Sequence, residues 1–158
     1  MLIEQIKSPN IHTVPDPARC YHVFLAGSID MGKAVDWQSR ACSIMDSYPN
    51  NYVVYNPRRD DWDSSWDQVL GDNEFTRQVR WELQMLDEAD IILMHITKES
   101  LAPITLLEFG RAAAMYPNKL ALSVEHGFWR RGNIEVVCDL HNIPLYATLE
   151  EAMEAHVL

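Results

Sequence analysis

The segment PITLLEFGRAAAM, residues 103–115, sets one carboxylate, Glu108, among Ile104, Leu106, Leu107, Phe109 and Ala112. Burying an ionised carboxylate without partners is costly, so an acid here is either turned from the apolar face or held for chemistry. Pro103 marks the first helical turn, and the partial positive charge of that helix end is expected to lower the Glu108 pKa and keep it anionic. An anion so held suits a nucleophile. The bland reading is a helix glutamate exposed between two apolar stripes. A second acid, Glu82, lies in RQVRWELQMLDEAD, where a mid-helix glutamate ordinarily faces solvent.

Two loops carry further polar groups. In AGSIDMG (26–32), Gly27 and Ser28 can bring backbone N–H groups against a sugar or phosphate, or can simply make a tight turn. The dinucleotide G-x-G-x-x-G and the phosphate-loop G-x-x-x-x-G-K-[ST] patterns are absent. In NPRRDDWDSSWD (56–67), Arg58 and Arg59 precede Asp60, Asp61, Asp63 and Asp67, with Trp62 and Trp66 between them. Such a loop is a self-paired solvated segment, a magnesium site completed by substrate phosphates, or a lid. As a lid, its rings would cover a base while Asn56, Arg58 or the acids hold the polar edge, and convergence on one crevice favours that reading. Cys138 and His141 form a single C-x-x-H pair with no second pair, so zinc is not expected. No other metal site or cofactor is expected, and no G-x-S-x-G elbow supplies an esterase serine.

The elements that must position these residues follow from periodicity. YHVFLAG (21–27) reads as a buried strand, and Ala34, Trp37, Ala41, Ile44 and Met45 fall at helical spacing after it. YVVYNP (52–57) is β-branched and aromatic; a helix from Glu74 to about Ala89 leads to the apolar strand DIILMHI (90–96). The Glu108 helix precedes the strand KLALSVE (119–125), then a helix from about Asn133 to His141, a short strand IPLYA and a closing helix. Thr148 and Glu151 form a capping box at the start of that last helix. Alternation of strands and helices predicts an α/β domain with a five-stranded parallel sheet, helices on both faces and flavodoxin-like strand order. Residues 1–20 read as a leader. The loops at the carboxyl ends of the strands should form the crevice, among them ITKESLAP with Ser100 and HGFWRRGN with Asn133.

At 158 residues, 47% of them hydrophobic and 23% charged, the chain fits one domain that buries about two-thirds of its unfolded surface. Thirteen basic against 23 acidic residues give a net charge of -10, which opposes general binding to nucleic acid. Three widely spaced cysteines suggest neither a disulfide framework nor a redox motif, and so a reducing, cytoplasmic compartment. No stretch approaches the roughly 18 apolar residues of a membrane span.

FLAGSIDMGKAVDWQ, NPRRDDWD, QVRWEL with LDEADIIL, LAPITLLEFG and GFWRRGN, in this order over about His22 to Ala147, resemble the nucleoside 2-deoxyribosyltransferases and the related 2'-deoxynucleoside 5'-phosphate N-hydrolases. The resemblance implies the flavodoxin-like fold and a glutamate nucleophile at Glu108. It also implies an acid at Glu82 that holds the sugar or the nucleophile, a sugar site lined by Ala26, Gly27 and Ser28, and an asparagine lent by a neighbouring subunit at Asn133. Substrates would be a small nucleoside or nucleotide and a nucleobase, and the assembly a homodimer or a dimer-based oligomer. Two departures stand out. Where the transferases carry a base-protonating aspartate, and the hydrolases a phosphate-binding serine, six residues before the glutamate, this chain has Ala102. Asp60, Asp61 or Asp63 could replace the aspartate, and lack of the serine leans towards a nucleoside, with Ser100 nearby keeping the nucleotide open. The implied reaction is N-glycosidic cleavage through a deoxyribosyl-glutamate, with transfer to another base ahead of hydrolysis. A non-catalytic nucleotide sensor on the same fold is the rival.

Overall fold

Runs such as Val23–Ala26 and Ile92–Met94 are buried at every position, as strands covered on both faces must be. In the computed structural model, which describes residues 1–13, 16, 19–30, 33–61 and 63–158 (backbone only at Ile3), these runs form the centre of one parallel sheet. The strands are β1 (Leu2–Ile6), β2 (Cys20–Gly27), β3 (Asn51–Tyr55), β4 (Ile91–Ile96), β5 (Leu120–Val124) and β6 (Leu145–Tyr146). The helices are α1 (Trp37–Ser47), α2 (Glu74–Glu88), α3 (Pro103–Met115), α4 (Arg131–His141) and α5 (Leu149–His156).

The sheet order is β1-β3-β2-β4-β5-β6. Its last five strands have the expected flavodoxin-like order; the sixth strand is the correction. Leu2–Ile6, read from sequence as leader, pairs in parallel with β3 from Leu2↔Tyr52 to Ile6↔Tyr55 and caps that edge. A five-residue strand with Glu4 and Gln5 inside it has no apolar run to announce it; the exposed backbone edge of β3 supplies its reason to form.

Trp81, Met85 and Leu86 of α2, Phe109, Ala112 and Ala113 of α3, and Ile134 and Cys138 of α4 pack on one face of the sheet. Trp37, Ala41 and Met45 of α1, with Leu149, Ala152 and Met153 of α5, cover the other. The helix starts are fixed locally. Asp36 accepts from Ser39 N–H at 3.1 Å, so α1 begins at Trp37 and leaves Ala34 in the preceding loop. Asn73 accepts from Thr76 N–H at 2.8 Å at the head of α2. Thr148 and Glu151 form the expected capping box. Among the described residues, no helix is long and apolar enough to cross a membrane.

Candidate active site

β2 and β4 lie side by side at the centre of the sheet, and the loops leaving their carboxyl ends meet. Gly27 ends β2 at φ 146°, and a Cβ there would stand 2.1 Å from the His95 carbonyl oxygen. The glycine is demanded by the neighbouring strand. Ser28 is buried and fully engaged: its N–H donates to the His95 carbonyl (3.0 Å), its Oγ accepts from Thr97 N–H (3.1 Å), and its carbonyl accepts from the Trp37 indole (3.0 Å). Ala26 is buried beside Met94 in the ladder. These three residues lock the loops that leave β2 and β4 together.

Ser100 tightens the same junction from the β4 side. Its hydroxyl donates to Asp30 Oδ1 at 2.9 Å, and Asp30 takes a left-handed φ of 48° to be there. Sequence reasoning did not single out Asp30, although an aspartate is among the few residue types that adopt such a backbone readily.

Glu108 is buried, and so are its helix neighbours Thr105, Phe109 and Ala112. Burial, and then the charge of Glu82, push its carboxyl up to about 8. This overturns the expectation that the helix end would lower it. Glu108 is the sixth residue of α3, beyond the first turn where the dipole acts, and desolvation opposes that weak field. Glu82 is also raised, by burial, against a hydrogen bond of 2.7 Å from the Gln78 amide that favours its anion. The solvent-facing reading therefore fails for Glu108, and half-buried Glu82 stands close enough on α2 for its charge to act on Glu108.

Gln78 is the positioning residue that sequence reasoning missed. Fully buried one turn before Glu82, its amide also reaches the Pro57 carbonyl (3.4 Å), and its oxygen accepts from Arg59 Nη1 (3.2 Å). The signal was available in the i, i+4 spacing of Gln78 and Glu82. The polar loop after β3 is thus wired to the carboxylate pair.

That loop is more self-paired than a free lid. Arg59 grips Asp61 with two bonds of 2.8 and 2.7 Å and lies over the Trp66 ring at 5.1 Å. The Arg59 hydrogen bond holds the Asp61 carboxyl down at about 2. Asp63 accepts from the Ser65 hydroxyl and N–H, which also lower it, and exposed Asp60 pairs with Lys7 at 2.9 Å. Asp61 and Asp63 therefore remain ionised at neutral pH. Arg58 donates to the Ala34 carbonyl (3.0 Å) and to Gln38 Oε1 (3.3 Å), while buried Asn56 accepts from Arg58 N–H at 2.9 Å. Trp62 lies outside the described residues.

Asn133 stands elsewhere. It is exposed near the start of α4 and lines a groove of about 330 Å³ with Leu106, Phe109, Gly110 and Trp129. Leu106 faces that groove, and two residues on, at about 100° per residue, Glu108 looks out of the opposite side of α3. Within one chain Asn133 and Glu108 are not brought together. Phe128 is buried in the core, whereas Trp129 is exposed.

A central parallel sheet in this order, with buried Glu108 and half-buried Glu82 on the helices of one face, defines a flavodoxin-like α/β protein. The family model for proteins described as nucleoside 2-deoxyribosyltransferase like matches residues 20–128, so the chain belongs to that family. No curated protein matches it.

Proposed function

We propose that the protein cleaves the N-glycosidic bond of 2'-deoxynucleosides, with Glu108 attacking C1' and the deoxyribosyl group passing to a second nucleobase. The observation that carries this reading is the Glu108–Glu82 pair: one buried and one half-buried carboxyl, both raised, with Glu82 wired through Gln78 to the loop after β3. Keeping such a pair costs stability, and chemistry is the reason to keep it. At neutral pH a pair of this kind holds close to one proton. As the bond to the base breaks, positive charge grows at C1'; the pair's proton passes to Glu82 and from there to the departing base, leaving Glu108 as the anion that bonds to C1'. Glu82, with its raised pKa, then suits the role of proton holder better than Asp61 or Asp63. Attack by a base on the glycosyl-enzyme gives transfer with retention; attack by water gives hydrolysis.

A nucleoside is favoured over a 5'-monophosphate. Ala102 offers no hydroxyl, and Ser100 gives its proton to Asp30, whose carboxylate would repel a phosphate. The neighbouring subunit is the source proposed for Asn133. Leu101, Ile104, Leu107, Trp129, Val136 and Leu140 are all exposed on α3, α4 and the loops before them, an apolar surface that suits a two-fold contact between copies.

The test is incubation with deoxyinosine and adenine, followed by chromatography. Deoxyadenosine should appear, and Glu108→Ala should reduce its formation at least about a hundredfold. Free hypoxanthine without deoxyadenosine would replace transfer by hydrolysis. Neither product would leave a binding protein. Acid quench during turnover should leave a deoxyribosyl adduct on Glu108, and an adduct on another residue would move the nucleophile.

A further inference from the structure

At the amino end of β2, away from the crevice, ligating side chains of three kinds converge. Oxygen of Asp16, sulfur of Cys20 and nitrogen of His22 all lie within 4.8 Å of one another, the one such group among the described residues. Asp16 Oδ2 is 3.0 Å from His22 Nε2, and its Oδ1 is 2.8 Å from His12 Nε2. The two imidazoles approach edge to face, centroids 5.5 Å apart. Each has its outer nitrogen held from behind: His12 Nδ1 donates to Glu4 Oε2 at 2.7 Å, and His22 Nδ1 lies 2.7 Å from the Tyr55 hydroxyl. That support fixes both Nε2 atoms towards Asp16, the outer-partner arrangement by which proteins orient metal-binding histidines.

From these contacts we infer a zinc site formed by Asp16, Cys20 and His22, with His12 as the fourth ligand. Tetrahedral zinc, with bonds of about 2.0–2.3 Å, spaces its ligand atoms about 3.3–3.7 Å apart, so changes of about an ångström in separations that are now within 4.8 Å bring oxygen, nitrogen and sulfur to a common ion. A mixture of one thiolate, one carboxylate and two imidazoles selects zinc over magnesium or calcium, which take oxygen. Binding is a proton exchange: the Cys20 thiol proton and any proton between Asp16 and the imidazoles pass to solvent as the sulfur, oxygen and nitrogen bonds to the metal form. Entry is open, since Asp16 is exposed and a cavity of about 550 Å³ is lined by His12, Asp16 and His22. Glu88 and Asp90 on its wall add negative charge for a cation.

The role is structural. His22 is five residues before Gly27, about 16 Å along the strand from the crevice, too far to touch substrate. The ion would staple His12 and Asp16 to the start of β2. The C-x-x-H pair weighed from sequence, Cys138 and His141, has no part in it.

The experiment uses the full chain, stripped with chelator and titrated with zinc chloride and, separately, cobalt(II) chloride. One equivalent of zinc should bind and raise the melting temperature, and cobalt should give a sulfur-to-metal charge-transfer band with the intense visible bands of tetrahedral coordination. Cys20→Ser should lose the charge-transfer band, and exposed Asp16→Asn, which leaves the core untouched, should weaken zinc at least tenfold. Glu4→Gln, behind His12, should weaken it about ten- to a hundredfold. Wild-type protein that binds zinc no better than Asp16→Asn, or cobalt bands that survive Cys20→Ser, would overturn the site and leave an ion-pair network. Both readouts are independent of deoxynucleoside cleavage.

Discussion

Glu108 titrates near 4.5 in an unfolded chain and near 8 in the fold, so between those values the folded state holds a proton that the unfolded state has lost. Stability from this group is therefore full below about pH 4.5 and falls as pH rises towards 8, by up to a few kcal/mol. Glu108→Gln keeps the shape and removes the charge. It should match wild type near pH 5 in urea denaturation, and exceed it near pH 9 by on the order of a few kcal/mol. Equal stability at both pH values would mean that Glu108 ionises without penalty. The same substitution should cost at least about a hundredfold in cleavage, because the anion is what the oxocarbenium-like transition state requires. For the wild type, kcat/KM for deoxyinosine should fall as pH rises through about 8, where the free enzyme gives up the one proton that the pair must hold for the departing base.

Two glycines separate what the elements demand from what they tolerate. At Gly27 an added methyl would collide with the His95 carbonyl at 2.1 Å and the Trp37 ring at 2.9 Å, on a backbone of φ 146°. Gly27→Ala should therefore push β2 from β4 and cost on the order of 3 kcal/mol or more in chemical denaturation, with loss of activity as the Ser28 bonds part. Gly110 sits inside α3 with nothing within 4 Å of a built Cβ. There Gly110→Ala should gain roughly 0.5–1 kcal/mol, the ordinary helix preference for alanine. A loss at Gly110 in the isolated subunit would show that the surface of α3 is packed more tightly than its open groove implies.

At the scale of the whole molecule, the position of Asn133 on the α4 side of α3 makes an isolated subunit incomplete in the proposed reaction. Glu108→Ala and Asn133→Ala proteins should each be inactive alone. Mixed and allowed to exchange subunits, they should recover part of the wild-type rate, at most about a quarter for random pairing in a dimer with two sites. Full activity from a monomer in sedimentation at assay concentration would return Asn133 to an ordinary surface role. Exposed Ile104, Leu107, Val136 and Leu140 locate the contact that a charge substitution should disrupt.

The sequence by itself determined the alternation of strands and helices, because apolar runs such as Ile92–Met94 and caps such as Thr148 with Glu151 act over a few residues. It also marked Glu108, since an acid among Leu106, Leu107 and Phe109 conflicts with its surroundings wherever the helix packs. Tertiary structure decided the rest. Whether Glu108 is held anionic or protonated depends on desolvation and on Glu82, 26 positions earlier, and only the packing of α3 beside α2 brings those to bear. The role of Gln78, the requirement for Gly27 and the edge strand Leu2–Ile6 all come from partners distant in the chain, Arg59, His95 and Tyr52–Tyr55. Local propensity is written in consecutive residues; electrostatics, close approach and strand pairing are properties of residues that only folding makes neighbours.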